Sequence, residues 1–165
     1  MNNAGLSPLI EAGRIINTHG IAGEVKIEVW LDSPRFFRSF RRLVIEGGDV
    51  KVLSTREYKG FVIAKLEGVD DINAAMRLKE KTVSVYRRDA ALPRGAFFIQ
   101  DIIGFTVIDE GGAVIGKLEE VFDSPANRVY VVRGESEHMI PAVPEFIKST
   151  DFEASVITVR LIPGM

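Results

Sequence analysis

Residues 24–31, Glu24-Val25-Lys26-Ile27-Glu28-Val29-Trp30-Leu31, set the fold class. Val25, Ile27, Val29 and Leu31 alternate with Glu24, Lys26 and Glu28, the period-two pattern of a strand with one face buried and one wet. Similar short pieces recur downstream. Residues 43–46 and 50–55 flank Gly47-Gly48, a hairpin signal. Phe61–Leu66 and Thr82–Tyr86 are rich in β-branched and aromatic residues. Two helices are expected between these strands. Ser33 caps residues 34–40, with Pro34 in the first turn, where its missing N–H costs nothing. Asp70 caps residues 70–79, where Ile72, Ala75, Met76 and Lys79 share one side at helical spacing. Several short strands with one or two short helices point to a small closed barrel.

The regular pattern stops at Asp89-Ala90-Ala91-Leu92-Pro93-Arg94-Gly95, where proline and glycine mark a linker. Strands resume beyond it. Residues 105–109 and 114–122 surround the loop Glu110-Gly111-Gly112-Ala113, and Arg128–Arg133 and 138–141 surround Gly134-Glu135-Ser136-Glu137. Ile157, Val159 and Leu161 alternate with Thr158 and Arg160 in a last strand. Residues 141–146 carry two prolines and should wrap the surface or make one helical turn. The expected organisation is mainly β: two small barrels, residues 8–89 and 97–165, joined by a linker at 90–96.

Composition supports a folded, non-enzymatic protein. Hydrophobic residues make up 46% and charged residues 27%, which is globular rather than disordered. There is no cysteine, so disulfides, thiolate nucleophiles and thiolate-bound metals are excluded. The two histidines, His19 and His138, fall in different halves, and no metal site, cofactor site or catalytic constellation is read from the chain. Glu119-Glu120 are neighbours on an expected strand and point to opposite faces, so they cannot line one acid–base site. No Gly-rich loop ends in Gly-Lys-Ser/Thr. The first eleven residues have neither a basic start nor a signal-length apolar run, and no segment has the length of a membrane span, so a cytoplasmic location is expected. Net charge differs between the halves. Residues 1–93 hold 15 Lys and Arg against 12 Asp and Glu, and residues 94–165 hold 6 against 11, a contrast of +3 and −5. The halves either seek different partners or show ordinary scatter of surface charge.

Three groups are candidates for binding. Arg35, Arg38, Arg41 and Arg42 cluster around the first expected helix, with Phe36, Phe37 and Phe40 as its apolar side. They read as contacts to RNA phosphates or as the soluble face of an amphipathic helix. Trp30 stands on the polar face of its strand. It is either an exposed aromatic anchor for a partner or packed beneath the arginine-rich helix or against the other domain. Phe97-Phe98 open the second half. On a strand, one ring would point into the barrel and the other would be free for contact, and parity does not say which.

The segment Gly13-Arg14-Ile15-Ile16-Asn17-Thr18-His19-Gly20-Ile21-Ala22-Gly23-Glu24-Val25-Lys26 resembles the opening of the RimM family of ribosome maturation factors. Leu66-Glu67-Gly68-Val69-Asp70-Asp71-Ile72-Asn73-Ala74-Ala75 is similar to that family's strand-to-helix junction. Phe97-Phe98-Ile99-Gln100-Asp101-Ile102-Ile103-Gly104, followed by Gly116-Lys117, resembles the start of its PRC-barrel domain. Ala126-Asn127, Ile140-Pro141-Ala142-Val143-Pro144 and Pro163-Gly164 fit as well. The resemblance covers roughly residues 8–165. It implies a six-stranded, translation-factor-like barrel followed by a PRC barrel. It also implies an assembly factor, a monomer, that binds the immature small ribosomal subunit at its head. Expected partners there are rRNA and a head ribosomal protein, the nineteenth of the small-subunit set, with a role in 16S rRNA processing. A generic RNA- or protein-binding adaptor of the PRC-barrel type is the alternative, since fold does not fix function. The family often carries two tyrosines where this chain has Phe97-Phe98, a pair tied to ribosome association. The rings are kept here and the hydroxyls lost, so stacking survives and hydrogen bonding does not. At Ser124-Pro125-Ala126-Asn127-Arg128 the family commonly has a glycine before Ala-Asn and an acidic residue after it. Gly13, Gly20 and Gly23 are expected to serve turns or close backbone approach, and His19 to be a hydrogen-bonded turn residue.

Overall fold

A computed structural model describes residues 6–92 and 96–165. Pro93, Arg94 and Gly95, part of the expected linker, lie outside the described residues, as do residues 1–5. The chain forms two units that part between Ala96 and Phe97.

The first unit is a closed barrel of six strands: β1 (Leu9–His19), β2 (Glu24–Val29), β3 (Arg42–Ile45), β4 (Gly48–Tyr58), β5 (Phe61–Leu66) and β6 (Thr82–Tyr86), paired in the order β1-β2-β5-β4-β3-β6. Closure depends on β1, which hydrogen-bonds two partners. It pairs with β6 from Leu9↔Tyr86 to Arg14↔Thr82, and with β2 from Gly13↔Val29 to His19↔Glu24. A register shift interrupts each ladder, between Glu11 and Gly13 on one side and between Ile15 and Asn17 on the other. Such bulges bend a strand and let one element serve both edges of the seam. Gly13 sits in both ladders, and a Cβ placed there would overlap the Glu28 carbonyl oxygen. Glycine is therefore needed for close approach, as the sequence suggested.

The alternation in residues 24–31 is seen in β2, where Val25 and Ile27 are fully buried. Ile10, Ile15, Leu43, Val62, Leu66, Val83 and Val85 join them in the core. Two tight hairpins use residues with positive φ at both turn positions, Glu46-Gly47 (51° and 79°) and Lys59-Gly60 (51° and 83°), as two-residue turns that match strand twist require. The first turn is displaced by one residue from the expected Gly47-Gly48.

The helices are shorter than their sequence patterns. The first, α1 (Pro34–Phe37), is capped by Ser33 Oγ, which accepts from the Phe36 N–H at 3.1 Å. It buries Phe37, and the turn after it buries Phe40. The second, α2 (Ile72–Met76), is capped by Asp71, not Asp70: Asp71 Oδ1 accepts from the Ala74 N–H at 2.7 Å. Only Ala75 of its apolar side is buried, while Met76 is 56% exposed.

The second unit begins with a short helix, α3 (Ile99–Ile102). Its six strands are β7 (Thr106–Asp109), β8 (Val114–Asp123), β9 (Arg128–Arg133), β10 (Glu137–Pro141), β11 (Ile147–Asp151) and β12 (Val156–Val159), in the order β10-β9-β8-β7-β12-β11. All neighbours are antiparallel except β12 and β7. The core gathers Ile102, Phe105, Val107, Leu118, Tyr130, Val132, Ile140, Ile157 and Val159. A Cβ on Gly116 would strike the Arg133 backbone, and one on Gly134 would strike the Ile115 carbonyl. The residues after Pro141 make the expected turn, with the N–H groups of Phe146 and Ile147 donating to the Val143 carbonyl at 3.0 and 2.9 Å.

If Gly13 is the closure point, Gly13→Ala should cost about 2 kcal/mol through overpacking against backbone that cannot give way. Gly111→Ala, where the nearest atom to a Cβ is Asp109 Oδ1 at 3.4 Å, should leave the thermal melt within a degree or two. Equal melting points by circular dichroism would sink the claim.

Candidate functional site

The four arginines around α1 do not form one free patch. Arg38 is held against β4, with Nε donating to Thr55 Oγ1 and Nη2 to the Thr55 carbonyl, both at 3.2 Å. Arg42 is committed to the barrel. Its Nε and Nη2 donate to the Asp89 carboxylate at 2.6 and 3.1 Å, Nη1 lies 3.7 Å from Asp49, and the guanidinium stacks 4.2 Å from the Tyr86 ring centre. Arg35 and Arg41 are exposed. Among the described residues, no hydrogen bond or ion pair is formed by either guanidinium. Lys51 is the cross-strand partner of Arg42 and is also exposed, so a further cation stands opposite Arg42. The arginine spacing on the expected helix could not reveal this, because Lys51 arrives from another strand.

The Arg42–Asp89 pair has a further effect. Asp89 belongs to the 3₁₀ turn Arg87–Asp89 that ends the barrel, so the bidentate contact ties that turn to β3. The hydrogen bond from Arg42 holds the Asp89 carboxyl below its ordinary 3.8 against the opposing cost of desolvation, with the charges of Arg42 and Arg88 adding to the lowering.

Trp30 follows the end of β2 and is 45% exposed, with Nε1 donating to Glu28 Oε1 at 2.9 Å. Its backbone N–H reaches the Ala12 carbonyl at 2.9 Å, which fixes the side chain's base on the barrel wall.

Phe97-Phe98 are not on a strand, contrary to expectation. They precede α3, and Phe98 is the residue at its N-terminal boundary, with φ −85° and ψ 136°. Parity therefore does not govern the rings. Phe98 is 5% exposed. Phe97 is half-buried, packed against the core and edge-on to Phe152, with ring centres 5.5 Å apart. Phe152 in turn meets Phe105 at 5.6 Å. Of the two rings, Phe97 retains area open to a partner.

The quoted segments 13–26 and 66–75 meet in space at Lys65. Its ammonium donates to the Ala22 carbonyl at 2.8 Å, to the Val69 carbonyl and, at 3.3 Å, to Asp70. Gly23, at φ +91°, lies so close to Val69 that a Cβ would overlap its carbonyl. The turn Gly20–Gly23 is thus stitched to the loop before α2, and Ile21 at its tip is 81% exposed. At the other departure from the family pattern, where Pro125 stands before Ala126-Asn127, Ser124 closes the turn with its own bonds. Its N–H and Oγ both donate to the Asn127 carbonyl, at 2.9 and 2.7 Å. The charge of Arg128 is met by Asp123 at 3.0 Å.

His138 bridges Ser136 Oγ and the Met165 carbonyl, at 3.2 and 3.0 Å. His19, which ends β1, lies 5.6 Å from the Tyr58 ring centre. Among the described residues no three His, Asp or Glu side chains are grouped to hold a metal, and no helix is long and apolar enough to cross a membrane.

A group whose pKa is lowered by folding stabilises the fold above its ordinary value, and loses that contribution as pH falls through the lowered one. Asp89→Asn should therefore lower the melting point at neutral pH and flatten its fall between about pH 5 and 3. Parallel acid profiles for variant and parent would show that the Arg42–Asp89 contact contributes nothing to stability.

The family described as the RimM N-terminal domain matches residues 10–90, and that described as the RimM PRC barrel domain matches residues 99–165. The ribosome maturation factor RimM of Clostridium botulinum (strain ATCC 19397 / Type A) is 35% identical over 156 residues, covering 94% of this chain and 95% of that protein. The ribosome maturation factor RimM of Acetivibrio thermocellus is 38% identical over 165 aligned positions, with the same coverages. Among solved structures, a 16S ribosomal RNA processing protein RimM from Pseudomonas aeruginosa is 24% identical, with a TM-score of 0.48, covering 95% of this chain and 99% of that one.

Proposed function

The chain belongs to the RimM family of ribosome maturation factors, and from that premise we propose that it binds the immature small ribosomal subunit at its head and aids assembly and 16S rRNA processing. The observation that carries this reading is the pair of family domains, in order, over residues 10–90 and 99–165. They span nearly the whole chain, so the likeness is not confined to one portable module.

The mode of action is binding, not chemistry, by a cytoplasmic monomer. The first unit faces rRNA. Arg35 and Arg41 extend guanidiniums that no carboxylate occupies among the described residues, and Lys51, opposite Arg42, adds an exposed cation on the same unit. Such groups attract phosphates with an affinity that falls as salt rises, because release of condensed counterions then yields less free energy. Arg38 and Arg42 hold the scaffold that presents them. The second unit faces a head ribosomal protein, the nineteenth of the set. Its net acidic sequence complements a basic partner, and the open area of Phe97 offers an aromatic contact beside a buried, rigid Phe98. Trp30 offers a second aromatic contact on the first unit.

Co-sedimentation with immature and mature small subunits tests this reading. The protein should travel with immature particles in preference to mature ones. Arg35→Glu with Arg41→Glu should weaken that association about ten-fold at low salt, and the loss should shrink as salt rises. Equal binding to both particles would replace the maturation role with that of a general RNA- or protein-binding adaptor.

A further inference from the structure

Away from α1, the outer face of the barrel brings together aromatic rings and cations that are far apart in sequence. Tyr58 and Phe61 are direct cross-strand partners on either side of the Lys59-Gly60 turn. His19 arrives from β1 and sets its ring 5.6 Å from Tyr58, tilted by 59°. Lys26, which faces Ile63 across the β2–β5 ladder, places its ammonium 4.2 Å from the centre of the Phe61 ring, and Lys59 lies 5.3 Å from that of Tyr58. Arg56 stands two residues before Tyr58 on the same side of β4 and pairs with Glu24 at 2.6 Å. That bridge leaves Glu24 neutralised, so Lys26 and Lys59 set the local charge. Tyr58 is 41% exposed.

We propose that this face, centred on Tyr58, His19 and Phe61 with Lys26 and Lys59, binds unpaired nucleotides of RNA by stacking bases on its rings and pairing its ammonium groups with the flanking phosphates. The inference rests on the ribosomal role proposed above and adds a second RNA-contacting surface of a different kind. The arginines near α1 carry charge and are suited to the backbone of any RNA. Here the cations alternate with aromatic faces. That combination selects strands whose bases are free to stack and excludes duplex, whose base faces are already covered. The cation–π contacts keep ring and ammonium adjacent in the free protein, so each lysine can turn to a phosphate while its ring takes a base. Charge also decides the occupant: a protein partner of ordinary composition would leave two desolvated ammonium groups without counter-charges.

Fluorescence anisotropy tests this with a labelled single-stranded oligoribonucleotide of about 12 nucleotides, a length in the usual range for such sites, and a hairpin duplex of the same composition. The full chain should prefer the single strand. Tyr58→Ala should weaken that binding about ten-fold, and Tyr58→Phe should restore it. Lys26→Ala with Lys59→Ala should reduce the salt slope by about 0.7 per lost phosphate contact. If Tyr58→Ala does not fold, judged by its melt, the lysine pair and the duplex comparison carry the test. Equal affinity for duplex and single strand, or undiminished binding by both the folded Tyr58→Ala protein and the lysine variant, overturns the inference. Binding of the parent protein to immature subunits, measured in parallel, separates the two readings. If the parent binds the particles but the oligonucleotide results fail, only this surface is wrong; if the parent ignores the particles, the maturation role itself falls.

Discussion

The first unit depends on one strand hydrogen-bonding two neighbours. Without β1, the strands β2-β5-β4-β3-β6 would form an open sheet with two exposed edges, each a template for unwanted pairing. With it, the sheet closes. Two bulges re-aim the strand, and Gly13 lets it pass close to Glu28 where its ladders overlap. The surface features follow from that closure. His19 reaches Tyr58 only because β1 is held at its far end against β2, and Arg42 reaches Asp89 only because β6 returns beside β3.

Period-two patterning is enough to read β2 and β12, β-branched and aromatic content is enough to read β5 and β6, and the turn chemistry is enough to place hairpins around Gly47 and Gly111. Strand β1 was not legible from pattern. Gly13, Asn17 and Thr18 break its alternation, and its bulges shift the side-chain parity twice, so the strand that closes the barrel looks like a loop. Strand β11 (Ile147–Asp151) is missed for another reason: it is a polar edge strand, whose half-exposed residues carry no hydrophobic period. The helix patterns over-reached because apolar residues at helical spacing need not be buried: α2 ends at Met76, which is exposed, and Lys79 lies beyond it.

Candidate site residues divide the same way. Local sequence could mark the arginines as a cluster, but it could not separate those that brace the fold, Arg38 and Arg42, from those left open, Arg35 and Arg41. That distinction is made by Thr55, Asp49 and Asp89, up to 47 residues away in sequence. The Phe97-Phe98 pair was found by resemblance, yet its geometry was misjudged, because the residues lead into a helix and not along a strand. A phenylalanine pair suits what is found there. Phe98 is buried, where an unpaired hydroxyl would be costly, and Phe97 packs edge-on to Phe152 by ring alone.

The proposed function divides labour between the units: the basic first unit would meet rRNA, and the acidic second unit a ribosomal protein. Site-specific photo-cross-linking tests it most directly. A photoreactive phenylalanine analogue would be placed at Phe97 in one preparation and at Arg41 in another, each bound to immature small subunits. With labour so divided, position 97 captures a ribosomal protein of the subunit head and position 41 captures rRNA. Capture of rRNA from position 97 and protein from position 41, or of the same class of molecule from both, would contradict it.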